Sequence, residues 1–287
     1  MNTTSKPSPE CEVKAAGIEY QKIVNRCIYV CSSINITPEN SLWKVIDTSG
    51  SNLTNIPIVQ DIQYRDRSIV LNSGSILVLS DLHIGRDEAS NVEFPLGEQS
   101  DLVDRVDMHL TTVAPEEVVL AGDIFHEFGR LTARSRSTID ALEDCCHAHG
   151  ATLTCIQGNH DNMLAEWWTG NAHESYVIKD SQTVVCHGHE IPSVDAGRYI
   201  IGHEHPTIRI EGTRHPCFLD VQCNESDVLV LPAFSRLSPG VVVNRMGKDA
   251  FQSPLLEDID SITPLIFDSS SEDILEFPPL AELTEYL

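Results

Sequence analysis

The sequence predicts a mixed α/β domain, on three observations. Strand-like and helix-like patterns alternate from Arg65 onward, the second half turns almost wholly to strands, and the polar clusters sit where strands end. SIVLN (68–72) and SILVLS (75–80) are short β-rich runs separated by a turn at Asn72-Ser73-Gly74. Leu102, Val106, Leu110 and Val113 then recur at helical spacing. EVVLAG (117–122) has the pattern of a buried strand, and a helix is expected over about 132–149, closed by Gly150 as its C-cap. ATLTCIQ (151–157) is again a strand. Beyond it, TVVC, RYIIG, TIRIEG, PCFLDV, DVLVLPAF and GVVVN form a run of further strands. Two strand–helix–strand units followed by such a run argue for a mixed sheet system with both faces covered.

Composition divides the chain near residue 64. Residues 1–63 hold five basic and six acidic residues, so nearly all of the net charge of −24 lies beyond them. Their apolar residues are scattered, apart from 23–28 and 58–62. This segment is expected to be an appendage, either a disordered arm or an upstream stretch joined ahead of the true start. Residues 64–287 then form the main domain, with an acidic, Pro-containing tail from about 254 that shows no clear period and is expected to pack loosely.

The charge balance, 43 Asp+Glu against 19 Lys+Arg, leaves only six Lys. An acidic, lysine-poor surface stays solvated where salt is concentrated, so a high-salt cytoplasm is expected. Counterion-release binding to nucleic acid is correspondingly not the main theme of this surface. No apolar run approaches the roughly 18–20 residues that span a bilayer, and MNTTSKPSPECEVK lacks the blocks of a signal peptide. A cytoplasmic location without membrane contact is expected. The nine Cys contain no C-x-x-C pair and several lie in apolar runs, a pattern of buried free thiols and not of disulfides or a zinc knuckle.

Function is carried by the loops. SILVLS runs into Asp81-Leu82-His83, EVVLA into Gly122-Asp123, ATLTCIQ into Gly158-Asn159-His160-Asp161, TVVC into His187-Gly188-His189, and RYII into Gly202-His203-Glu204-His205. In open α/β sheets, sites collect outside the carboxyl ends of strands. Asp, His and Asn without thiolate suit ions such as Mn, Fe or Zn. Asp81 and His83, two apart on an extended exit loop, can face one ion. His203 and His205 can serve one ion or two neighbouring ones, and Asp123 is suited to bridge. Two cations about 3.5–4 Å apart acidify a shared water and clamp both oxygens of an in-line phosphoryl displacement. Gly122, Gly158 and Gly202 permit sharp or positive-φ turns between strand and ligand. D-x-H or G-D alone is common by chance. All five motifs, in this order and each at a strand end, are not.

With SDLHIG, AGDIFHEF, QGNHDN, VVCHGHE and IGHEH in that order, the sequence resembles the calcineurin-like metallophosphoesterase superfamily over about 65–253. The D-L-H-I-G and G-D-I-F-H forms are most similar to archaeal, including haloarchaeal, phosphoesterases related to SbcD-type repair nucleases. The resemblance implies a β-sandwich of two mixed sheets flanked by helices, with a dimetal centre at its top. It implies that Asp81, His83 and His205 hold one divalent ion, that Asn159, His187 and His203 hold a second, and that Asp123 bridges them. Manganese is the expected metal, with iron or zinc as alternatives. His160 would stay unligated near the scissile phosphate, oriented by Asp161, and His189 would support His187.

Two further sites have open readings. His126 is either a substrate contact or a structural histidine. Arg130, with Arg134 and Arg136, is either a phosphate-steering patch or a solvated helix start. Trp167-Trp168 is expected to be core or cover. The implied activity is hydrolysis of a phosphodiester, on nucleotides or single-stranded nucleic acid, by attack of a metal-bridging hydroxide. A phosphomonoesterase and a catalytically silent binding scaffold are the alternatives. The sequence leaves the oligomeric state open.

Overall fold

A computed structural model describes residues 62–89, 97–127, 131–164, 168, 170–178, 182–257 and 259–283. Nearly all of the expected appendage, together with Arg130 and Trp167, lies outside the described residues. The strands are β1 (Gln63–Arg65), β2 (Ser68–Leu71), β3 (Ile76–Leu79), β4 (Glu117–Ala121), β5 (Thr152–Ile156), β6 (Asn171–His173), β7 (Ser175–Val177) and β8 (Thr183–Cys186). They continue with β9 (Arg198–Ile201), β10 (Pro206–Ile210), β11 (Thr213–Pro216), β12 (Phe218–Cys223), β13 (Asp227–Val230), β14 (Val241–Val242), β15 (Ile259–Asp268) and β16 (Asp273–Glu276). The helices are α1 (Arg86–Ala89), α2 (Glu98–Val113), α3 (Ala133–Ala148) and α4 (Leu280–Leu283).

Two large mixed sheets face one another. The first has the order β1-β2-β3-β4-β5-β6, the second β16-β15-β12-β13-β9-β8-β7. In the first, β3, β4, β5 and β6 run parallel while β1 and β2 add antiparallel strands at one edge. Alternate side chains of β3, β4 and β5 serve two different cores, which explains why these runs are mostly apolar. Ile76, Val78, Val119, Ala121 and Ile156 point inward to meet Val185, Ile200, Phe218, Leu229 and Leu265 of the second sheet. Leu77, Leu79, Val118, Leu120 and Cys155 point outward, against Leu102, Val106, Leu110, Ile139 and Leu142 of α2 and α3. The result is a β-sandwich flanked by helices, as expected.

Local signals set the boundaries. Thr132 caps α3, its side chain accepting from Ser135 N, and Gly150 follows the helix with φ +77°. The β10–β11 hairpin turns through Glu211 (φ 49°) and Gly212 (φ 90°), the positive-φ pair that a two-residue hairpin loop favours. GVVVN, expected as a strand, pairs over only Val241–Val242, in a small three-stranded sheet with β10 and β11, before turning into a 3-10 helix. The tail does not pack loosely. Its ten-residue β15 lies between β12 and β16, and Ile262, Leu265, Ile266, Phe277 and Leu280 are buried. Trp168 is buried in the core beside Leu164. No described helix is long and apolar enough to cross a membrane.

Candidate metal centre

The polar loops leave the carboxyl ends of β3, β4, β5, β8 and β9 and converge. Past the regular ladder, pairing between the β3 and β4 exits continues: Asp81 N donates to Gly122 O at 3.0 Å, His83 N to Asp123 O at 3.0 Å and Ile84 N to Ile124 O at 2.8 Å. The loops are not extended. Asp81 (φ 56°), His83 (47°), Asp123 (48°), His203 (67°) and His205 (45°) all occupy the left-handed region. Such backbone costs a non-glycine residue about 1–2 kcal/mol, and its concentration here means the surrounding hydrogen bonds enforce it. The extended geometry expected for Asp81 and His83 is therefore replaced by a left-handed one that gathers the same side chains.

The glycines serve in two ways. Gly122 has φ +81°, as expected. No positive φ is needed at Gly158 or Gly202. There, a Cβ would run into Asp123 (Gly158) or into Asp81 and Ser80 (Gly202). Close approach of backbone to carboxylate is what excludes side chains at these two positions.

Two donor groups form. His205 Nε2 lies 3.0 Å from Asp81 Oδ1 and 3.1 Å from His83 Nε2. Donor atoms of Asp81, His83, Asp123 and His205 all lie within 4.8 Å of one another. On the other side, His187 Nε2 is 3.2 Å from Asp123 Oδ1 and 3.1 Å from Asn159 Oδ1. The His203 ring packs 5.0 Å from the His187 ring. His187 Nδ1 donates to Ala121 O at 3.0 Å, which fixes the ring with Nε2 toward the centre. Asp123 belongs to both groups. Imidazole nitrogens and carboxylate oxygens crowded at about 3 Å in a buried site suit divalent cations.

The titration behaviour agrees with that crowding. Burial alone would raise Asp81, but the imidazoles of His205, His187 and His83 outweigh it and hold its carboxyl far below the usual range. Burial would lower His187, yet its bond to Asp123 and the charge of Asp81 push it up to about 9. His83 and His203 are pushed down to about 4, chiefly by burial. Protonated imidazole here balances carboxylate charge, and a bound cation would do the same while displacing those protons.

Around this centre, His160 N donates to Asp123 Oδ1 at 3.0 Å, and His160 Nδ1 bonds the His126 carbonyl at 2.8 Å. The His126 ring stacks parallel to that of His160 with centroids 6.4 Å apart. Asp161 does not orient His160. Its buried carboxylate accepts from Ile124 N (3.1 Å), Phe125 N (3.0 Å) and Gly158 N (2.9 Å), tying the Asp123 loop to the Asn159 loop. His189 sits 5.3 Å from His187, ring to ring. Arg134 is held by Asp87 at 2.8 Å, so its charge is paired within the protein.

Residues 74–213 match the family model described as Calcineurin-like phosphoesterase. The chain is similar to calcineurin-like phosphoesterases over the stretch that carries all five polar loops. It is a metal-dependent hydrolase. No curated protein sequence matches the chain. Among solved structures, it is similar to Pseudomonas putida nuclease MPE at 23% identity, covering 69% of this chain and 88% of that one, with a TM-score of 0.49. It is also similar to Yfce, a phosphoesterase from E. coli, at 13% identity over 70% of this chain and 97% of that one, with a TM-score of 0.39.

The centre also has supports that no motif signals. Glu204, between the two histidines of G-H-E-H, is buried and accepts from Gln252 N (2.8 Å) and Ser253 N (2.7 Å). Ser253 Oγ in turn donates to Gly188 O at 2.5 Å. The segment after β14 thus clamps the His187 loop to the His203–His205 loop. A second brace lies under Asp81. Arg67 Nη1 donates to Ser235 O (2.8 Å) and Arg105 Nη1 to Phe234 O (2.6 Å), while Phe234 N donates to Ser80 O (2.8 Å). Glu204→Ala is expected to weaken metal binding about 10- to 100-fold, as loss of a partner behind the ligands does, with Glu204→Gln recovering part. Titration of the metal-stripped protein with Mn²⁺ measures this.

Proposed function

We propose that this protein is a two-metal phosphodiesterase acting on nucleotides or nucleic acid, single strands included. The observation that carries the reading is Asp123, whose carboxylate is shared by the two donor groups. Asp81, His83 and His205 would hold one ion, Asn159, His187 and His203 the other, with manganese expected. When bound, such a pair supplies positive charge to the phosphate oxygens and an acidified water.

The remaining residues orient and move protons. The His126 carbonyl fixes the His160 ring through Nδ1, leaving Nε2, 3.8 Å from Asp123 Oδ2, at the centre. His160 would donate a proton from Nε2 to the leaving oxygen or to a phosphate oxygen. The His126 ring beside it would contact substrate, and so would Arg130 on the sequence reading. A diester is favoured over a monoester because Gly122-Asp123-Ile124-Phe125-His126 lacks the arginine that monoesterase branches place there. The acidic, lysine-poor composition supports a high-salt cytoplasm and kinship with the haloarchaeal, SbcD-related members.

The test uses the full chain in molar KCl, stripped of metal and assayed on bis-p-nitrophenyl phosphate, p-nitrophenyl phosphate and single-stranded DNA with and without Mn²⁺. Mn²⁺-dependent turnover preferring the diester is expected, and cleavage of the DNA would identify the substrate class. Preference for the monoester would overturn the diesterase assignment. Two bound metals without turnover on any substrate would point to a binding scaffold.

A further inference from the structure

A second cluster of ligating side chains lies on the outer surface of the helical layer. Cys145 and His149, four apart at the carboxyl end of α3, face one side. Asp107 reaches them from the neighbouring helix α2. His149 Nε2 is 2.8 Å from Asp107 Oδ1, Cys145 Sγ is 3.8 Å from the same oxygen, and all three donor atoms lie within 4.8 Å of one another. Cys145 is half-buried, unlike Cys146, Cys155, Cys186 and Cys217, which are enclosed. It is therefore reachable from solvent, with the Asp107 carboxylate beside it.

We infer that Asp107, Cys145 and His149 form a second, structural metal site for a zinc-like divalent ion, separate from the centre at the strand ends. One thiolate, one imidazole and one carboxylate are the ligand types of zinc sites, with water as a fourth ligand. Zinc bonds of about 2.0–2.3 Å need ligand atoms somewhat over 3 Å apart. The Cys145–Asp107 spacing already meets that, and the His149–Asp107 hydrogen bond must open by a few tenths of an ångström. Exposure makes this easy, since neither His149 nor Asp107 is locked by burial. Binding deprotonates the thiol and frees Nε2 of the imidazole, so affinity rises with pH. The ion would join the end of α3 to the middle of α2, the two helices that cover the first sheet.

Thiolate ligation separates this site from the other, whose donors are nitrogen and oxygen only. The full chain, stripped of metal and reduced, is titrated with Co²⁺ while the near-ultraviolet thiolate-to-cobalt charge-transfer absorption is followed. The wild type is expected to develop this band and to bind one more ion than Cys145→Ser, which lacks the band. Asp107→Asn, which keeps the thiol, is expected to weaken the band's appearance at least about tenfold in Co²⁺ concentration. Zn²⁺ is expected to slow alkylation of Cys145 in the wild type. A wild type without the band, or a band unchanged in Cys145→Ser, overturns the site, as does alkylation that Zn²⁺ does not slow. Diester turnover is measured in the same samples. Its loss in the wild type with the cobalt band intact would bear on the proposed diesterase and leave this site standing.

Discussion

Asp123→Asn is expected to abolish most diester hydrolysis, by about 10³-fold or more, and to reduce the metal bound per chain. The substitution keeps the shape but removes the charge at a carboxylate common to both donor groups, 3.2 Å from His187 Nε2. The proposed metal pair would contribute several kcal/mol of charge stabilisation to the transition state, and about 4 kcal/mol corresponds to that factor. His160→Ala supplies the contrast. Its ring is fixed to the His126 carbonyl and its Nε2 stands 3.8 Å from Asp123 Oδ2. Removing it is expected to slow turnover by about 10²–10⁴-fold, the range for a proton donor, while metal content stays at the wild-type value. Metal analysis beside kinetics separates the two. Loss of metal in His160→Ala would make His160 a ligand, and full activity in Asp123→Asn would remove Asp123 from the shared position.

The second large effect is on stability. Asp161→Ala strips three buried backbone N–H groups, of Ile124, Phe125 and Gly158, of their acceptor. An orphaned buried donor costs about 1–3 kcal/mol, so a loss of about 4 kcal/mol is expected, or about 10 °C in Tm for a domain of this size. Burial favours the neutral form of Asp161 and raises its carboxyl, while the three N–H bonds act against that by favouring the ion. Asp161→Asn keeps one good acceptor and turns an amide N–H₂ toward donors, so it should fall between the wild type and the alanine variant. Thermal denaturation of the three proteins checks the order. A Tm unchanged in Asp161→Ala would show that the tie between the Asp123 and Asn159 loops is dispensable.

Much of the fold was legible because its strands bury both faces and its helices one. EVVLA and SILVL are apolar after their first residue since alternate side chains serve different cores, one between the sheets and one under the helices. The α3 boundaries fell within a residue of Thr132 and Gly150 because capping chemistry is local. What escaped were segments whose own residues do not carry a clear strand pattern. Thr213–Pro216 is polar and becomes a strand only through the Glu211-Gly212 turn. In β15, Pro264 and the surrounding acids obscure the apolar residues, and the strand exists because β12 and β16 flank it.

By itself the sequence determined which residues gather: each polar motif follows an apolar strand, and parallel strands deliver their carboxyl ends to one edge. It could not say how they are held. Asp81 and His203 are 122 positions apart, yet the His203 N–H bonds to the Asp81 carboxylate. That contact depends on the two sheets packing face to face. The same holds for Asp161, which ties two loops instead of orienting its neighbour, and for Glu204, whose partners come from the segment after β14. The left-handed backbone at five of the expected ligands is likewise a tertiary decision. Local preference opposes it for residues with a Cβ, and only the hydrogen bonds of the assembled loops, together with the core beneath them, outweigh that preference.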